Sequence, residues 1–220
     1  MAGTSGTGGT PRIELVTTDG IFALDGGEWE VTNNIWLIGD DREVVVIDAA
    51  HDHVPIVEAV NGRRVAAIAC THGHNDHINA AAALADAVDA PIWLHPADTM
   101  LWEQVYPATP FDAEIADGQE FTVGGVTLTA MHTPGHSPGC VCFHAPDLGA
   151  HGVLFSGDTL FQGGPGATGR SYSDFPTIIE SIRTRLLALP EGTEVLTGHG
   201  DATTIGAEAP HLQEWIDRGH

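Results

Sequence analysis

The sequence predicts a single α/β domain in which sheets carry helices on their outer faces. Three observations point there. Strands followed by a helix occur twice along the chain, an alternation that packs helices against sheet. The composition is globular, 42% apolar and 17% charged, which excludes a disordered chain. At 220 residues the chain buries roughly 70% of its unfolded surface without staples, and no linker divides it. The domain is assigned to residues 13–220 and a flexible tail to residues 1–12.

The opening MAGTSGTGGTPR has neither a basic segment nor an apolar one, so it reads as tail and not as a signal peptide. Residues 13–18, 21–24, 34–38 and 43–48 are β-branched or apolar runs separated by Gly, Asn and Asp, the pattern of short strands. A short helix is expected over 54–62, opening at Pro55. VAAIAC at 65–70 is apolar throughout, as in a strand buried on both faces. The Ala-rich stretch 78–90 is expected as helix, with Pro91 beyond its end. Residues 92–95 read as strand, 97–106 as a short amphipathic helix and 107–120 as loop. Strands resume at 121–123, 126–132, 140–144 and 152–156. Glycine density makes 162–174 a loop. Residues 176–189 form the clearest helix, because Pro176 suits its first position and Ile178, Ile179, Ile182, Leu186 and Leu189 share one face. A strand at 194–197 and a terminal helix at 207–217 complete the chain.

Charge narrows the function. Thirty acidic residues stand against eight basic ones, all Arg, for a formal charge of −22. Such a surface repels nucleic acid and anionic membrane, and no apolar run approaches the roughly 18 residues of a span. The three cysteines make no disulfide framework. Cys140 and Cys142 share a strand face and Cys70 ends an apolar run, so buried thiols in a reducing compartment are expected. A cytoplasmic protein follows from this reading.

Histidine is in excess, thirteen against eight Arg, and it is clustered. THGHNDH at 71–77 lies between a buried strand and a helix. His72 and His74, two apart in extended chain, point the same way, while Asp76 and His77 sit where the helix begins. Three imidazoles and a carboxylate so close suit a divalent metal such as Zn. His136, Asp158 and His199 each follow an apolar strand beside glycine, where loops on a rigid scaffold carry ligands. Asp48, at the end of VVVID, is expected to orient a ligand.

The succession HxHxDH, HTPGHSPG, GDTLF and TGHG resembles the metallo-β-lactamase superfamily over residues 12 to 215. The resemblance implies a four-layer αββα sandwich with two metals at one sheet edge. His72, His74 and His136 would hold one ion and Asp76, His77 and His199 the other, with Asp158 bridging. The metals would be Zn, with Fe or Mn as alternatives. Asp at position 158 differs from the Cys of common two-zinc β-lactamases. His74 differs from the Glu of flavodiiron proteins, and the charge opposes the tRNA-processing branch. The segment from Gly157 to Pro176 resembles glyoxalase II-like thioester hydrolases, and the whole run from Gly157 through TGHGDATTIGAE resembles more narrowly the short hydrolases paired with mycothiol-dependent formaldehyde oxidation. The basic helical extension that binds glutathione in larger relatives has no counterpart after His199, so another thiol carrier is expected.

The expected activity is thioester hydrolysis by a hydroxide shared between two metals, with Asp76 and Asp158 as catalytic ligands. The substrate is a small thioester, with Arg170, Tyr172 or Trp102 as candidates to hold it; for Trp102 and Tyr106 core packing is the first expectation and the entrance the alternative. The protein would act as a monomer or homodimer. A one-iron persulfide dioxygenase using His72, His136 and Asp158, and a lactonase or β-lactam hydrolase, are the competing readings. His51 is placed at the surface, with the mouth of the site as the alternative, and His132, Cys140 and Cys142 are given structural roles.

Overall fold

The computed structural model describes residues 9–219, so residues 1–8 of the expected tail lie outside the described residues. A long hairpin opens the fold. β1 (Arg12–Leu24) and β2 (Gly27–Gly39) pair antiparallel from Arg12↔Gly39 to Leu24↔Gly27. The expected break at Asp19-Gly20 is absent, because both residues stay in the ladder opposite Thr32 and Val31. β3 (Glu43–Ile47) is antiparallel to β2. β4 (Arg64–Ala69), β5 (Ile92–Leu94) and the two-residue β6 (Ala113–Glu114) then add in parallel, placing a strand inside the expected loop 107–120.

The crossovers carry α1 (His53–Val60), α2 (Asn75–Ile78), α3 (Ala81–Val88) and α4 (Thr99–Val105). α1 starts before Pro55 because the Asp52 carboxylate accepts from the Val54 N–H, and it stops at Asn61 with φ of 51°. The Ala-rich stretch splits into α2 and α3, and α2 begins inside the His-rich motif itself. That gives Asp76 and His77 a helical base.

The second sheet is built from β7 (Glu120–Val123), β8 (Val126–His132), β9 (Val141–Ala145) and β10 (Val153–Gly157). β11 (Leu160–Phe161) and β12 (Gly164–Pro165) pair as a small ribbon within the expected loop. β13 (Glu194–Thr197) and β14 (Thr203–Thr204) close the sheet, in the order β14-β13-β10-β9-β8-β7. α5 (Phe175–Ser181), capped by Asp174, runs into a π turn over Ile182–Leu186, so the expected helix to 189 ends early. α6 (Ile205–Glu208) and α7 (Leu212–Arg218) finish the chain.

Three apolar cores make four layers. Ile38, Val45 and Ile47 of one sheet meet Phe121, Leu128, Phe143 and Phe155 of the other. Ile56, Leu84 and Trp102 pack the first helices on the outer face of the first sheet. Ile178, Ile182, Leu186 and Trp215 do the same for the second. This is the expected αββα sandwich in a single domain. Its apolar strands end at His72, His136, Asp158 and His199, along one edge.

Candidate metal centre

Two groups of donors converge at that edge. His72 Nε2 lies 3.0 Å from His74 Nδ1, which lies 2.9 Å from His136 Nε2. Beside them, His77 Nε2 is 3.2 Å from His199 Nε2, and Asp76 Oδ2 is 3.6 Å and 3.3 Å from these two atoms. Asp158 stands between the groups. Its Oδ1 is 3.3 Å from His77 Nε2, and its Oδ2 is 3.5 Å from both His136 Nε2 and His199 Nε2. The structure thus brings all seven ligand candidates together, and the donor atoms within metal-binding range form the triads His72-His74-His136, His72-His77-Asp158 and Asp76-His77-His199.

The far side of each ring decides which nitrogen faces inward. Thr71 Oγ1 donates to Asp48 Oδ2 at 2.9 Å and therefore accepts from His72 Nδ1 at 3.0 Å. His77 Nδ1 donates to Asp48 Oδ2 at 2.8 Å. His136 Nδ1 and His199 Nδ1 donate to the carbonyls of Ala167 and Thr32, each at 2.8 Å. In all four rings Nε2 is therefore the nitrogen that faces the centre. Asp48, the residue expected to orient a ligand, makes both the His77 and the Thr71 contacts, from a left-handed backbone at φ 63° that Asp tolerates better than most residues.

Charge divides the centre. Burial, reinforced by neighbouring His136, lowers His74 to about 3, and burial with His77 beside it pushes His72 well below its ordinary value. At the other end burial is outweighed by carboxylates. Asp158 and Asp76 raise His199 to about 10 and hold His77 well above the usual imidazole range. His77 and His199 in turn hold buried Asp158 well below the carboxylate range.

The donor set fits divalent ions. Asp76 Oδ1 and Asp158 Oδ1 are buried without a hydrogen-bond partner, which is costly for polar groups unless a cation or hydrogen bond satisfies them. Imidazole nitrogens about 3 Å apart, four of the five rings having their outer nitrogen hydrogen-bonded, converge on one region. Nitrogen and carboxylate donors of this kind suit Zn, Fe or Mn.

The remaining candidates separate. Arg170 lines the cavity of about 520 Å³ above the centre, together with Phe22, Trp29, Val31 and Phe161. Its guanidinium sits 3.7 Å from the Trp29 ring centroid. Tyr172 does not line that cavity. Ser173 Oγ closes its turn by accepting from the Gly169 and Arg170 N–H groups, and Tyr172 is left 48% exposed at φ 70°. Trp102 is 1% exposed and belongs to the outer core, with its Nε1 donating to the Thr109 carbonyl, so it is no entrance residue. Tyr106 likewise donates to the Ile78 carbonyl.

His51 is not the surface residue expected. Its Nε2 meets Asn33 Oδ1 at 2.9 Å, and Asn33 Nδ2 donates to Asp76 Oδ2 at 3.3 Å. Asn33, Phe22 and Trp29 escape the sequence reading because they lie on the opening hairpin, away from every His motif. The alternation of residues along a strand carries their only signal.

The profile of the metallo-β-lactamase superfamily matches residues 29–199. This chain belongs to that superfamily. Its relatives include the hydroxyacylglutathione hydrolase GloC of Haemophilus influenzae, 32% identical over 189 residues, covering 79% of this chain and 87% of that protein. Among solved structures, BLEG-1, a B3 metallo-β-lactamase, is similar with a TM-score of 0.72 and 30% identity, covering 89% of this chain and 98% of its own. TTHA1623 in a di-iron-bound form gives 0.71 and 33%, with 81% and 93% covered. As a superfamily member the chain has the fold of metal-dependent hydrolases. Among the described residues no helix is long and apolar enough to cross a membrane.

Proposed function

We propose that this protein is a dinuclear metal-dependent hydrolase of small thioesters. The observation that carries the reading is Asp158, whose two oxygens lie within 3.5 Å of nitrogens from both donor groups. His72, His74 and His136 would hold one ion, Asp76, His77 and His199 the other, and Asp158 would touch both. When bound, such ions supply a Lewis acid and lower the pKa of water to about 7.

The chain's own groups do the rest. Asp76 and Asp158 are carboxylates here, so they accept protons and do not donate them. Asp76 Oδ2 lies beside His77 and His199, while its Oδ1, buried and unpartnered, would be left to accept a proton released by a water. A thiolate leaving group, with parent pKa near 8.5, departs without a general acid, which matches a site rich in bases. The aromatic wall of Phe22, Trp29 and Phe161 excludes water from part of the cavity. The acidic surface supports a small-molecule partner over nucleic acid or membrane. The likeness to GloC favours a thioester. The likeness to BLEG-1 favours a β-lactam as the second reading.

Metal content per chain, measured with thiol release on the same sample, tests this. Two Zn-, Fe- or Mn-type ions with thioester cleavage are the expected result. One iron with oxygen uptake on a persulfide would replace the reading with a dioxygenase, and β-lactam turnover without thioester turnover would favour the second.

Arg170→Ala should raise KM for the preferred thioester about 3- to 30-fold, the worth of one cation–π and substrate contact. Metal content and kcat should stay near wild type. Unchanged KM removes Arg170 from the substrate site.

A further inference from the structure

Asp98 lies in the turn between β5 and α4, outside every ligand motif, and is fully buried. Three donors reach its carboxylate. Oδ2 accepts from the Gly73 N–H at 2.8 Å and from Ser137 Oγ at 2.6 Å, and Oδ1 accepts from the Gly139 N–H at 2.6 Å. Gly73 separates His72 from His74, while Ser137 and Gly139 follow His136. One carboxylate therefore ties together the two loops that carry the whole three-histidine group. No cation is paired with it among the described contacts, so the charge rests on these donors alone.

The packing agrees. A Cβ at Gly139 would fall 2.6 Å from Asp98 Cγ and 2.8 Å from its backbone N, and one at Gly73 would fall 3.1 Å from Asp98 Cβ. Both loops need glycine at those positions to come so near. His74 Nδ1 and His136 Nε2, one from each loop, end 2.9 Å apart. Two separate loops hold such a distance only if something fixes them to each other. Asp98 touches neither ring, so it acts through the backbone.

We propose that Asp98 is a positioning residue that sets the three-histidine half of the centre, independently of the half built on Asp76, His77 and His199. This rests on the dinuclear reading above. Outer partners of metal ligands typically matter 10- to 100-fold in affinity.

The test is retention of metal by the full-length, zinc-loaded protein dialysed against graded chelator, with ions counted per chain. Asp98→Asn keeps the shape but replaces one acceptor by an N–H that opposes a backbone donor. It should lose one ion at 10- to 100-fold lower chelator than wild type and keep the other at the wild-type concentration. Cobalt-loaded samples should show the same split, with only part of the visible spectrum altered. Ser137→Ala, which leaves Asp98 its two backbone donors, should give the same selective loss at smaller amplitude and serves if Asp98→Asn does not fold. Retention of both ions at wild-type chelator in either variant overturns the proposal. So does equal loss of both, which marks a merely structural residue. If wild type itself carries one ion, the dinuclear reading fails, and the proposal then stands or falls on whether that ion is lost earlier in the variants.

Discussion

Asp158→Ala should lower thioester turnover by more than about 10³-fold, the upper range for losing a single preorganised electrostatic group, and should leave the protein with less than its full complement of metal. The size follows from position. Asp158 is the only side chain whose atoms lie within 3.5 Å of nitrogens from both donor groups among the described ion pairs, so its loss disturbs two sites at once. Gly198, which borders Asp158, has no side chain to fill the gap; a Cβ there would fall 2.3 Å from Asp158 Oδ1. The fold should survive, since the inter-sheet core of Phe121, Phe143 and Phe155 does not involve Asp158. A second readout comes from linkage. In metal-free wild type the raised His199 pKa, about 10, adds stability that is full below the unfolded value near 6.5 and is lost as pH rises toward 10. Asp158 is the leading charge behind that rise. The variant's melting temperature should therefore depend less on pH between 6.5 and 10. Wild-type turnover with two ions bound would refute the bridging role.

The architecture and the gathering of the seven ligand candidates are both legible in the sequence, for different reasons. Most of β3, β4 and β10 is continuous apolar sequence, which marks strands buried on both faces, while β7 and β8 alternate, the mark of a half-buried strand. The seven ligand candidates stand in short motifs at strand ends, where residue type and local spacing already restrict geometry. Long-range partners leave no such trace. Asn33 reaches Asp76 from across a hairpin, Asp98 reaches two loops from a third, and Trp29 becomes a cavity wall only because β1 and β2 form one uninterrupted ladder. The break expected at Asp19-Gly20 hid that ladder, since glycine in a strand reads as a turn until its cross-strand partner Val31 is known. Tyr172 shows the opposite error. An aromatic or polar type near a motif suggests a role, but burial and backbone angle decide it, and neither is written in residue type. His51 escaped for the same reason, its place being set by Asn33 and Asn79.

Asp48 is where fold and chemistry share one side chain, and its two substitutions should part company. Its carboxylate accepts from the Thr71 N–H at 2.7 Å, from Thr71 Oγ1 at 2.9 Å and from His77 Nδ1 at 2.8 Å. His77 and Asp48 are both buried. Asp48→Ala removes all three acceptors and leaves buried donors unmatched, a loss of about 3–5 kcal/mol for a broken buried pair. Alanine at φ 63° adds about 1–2 kcal/mol. Domains of this size are stable by only about 5–15 kcal/mol, so this variant should melt far below wild type or fail to fold. Asp48→Asn tolerates the left-handed backbone and still accepts from the Thr71 N–H through its carbonyl. It should fold, with a modest fall in melting temperature. What it loses is the negative charge that fixes the outward proton on His77 and, through Thr71, on His72. Metal affinity should then drop about 10- to 100-fold, and turnover should recover when metal is supplied in excess. Chelator titration of the two variants beside thermal melts separates the roles. If Asp48→Asn binds metal as tightly as wild type, the carboxylate serves the fold alone.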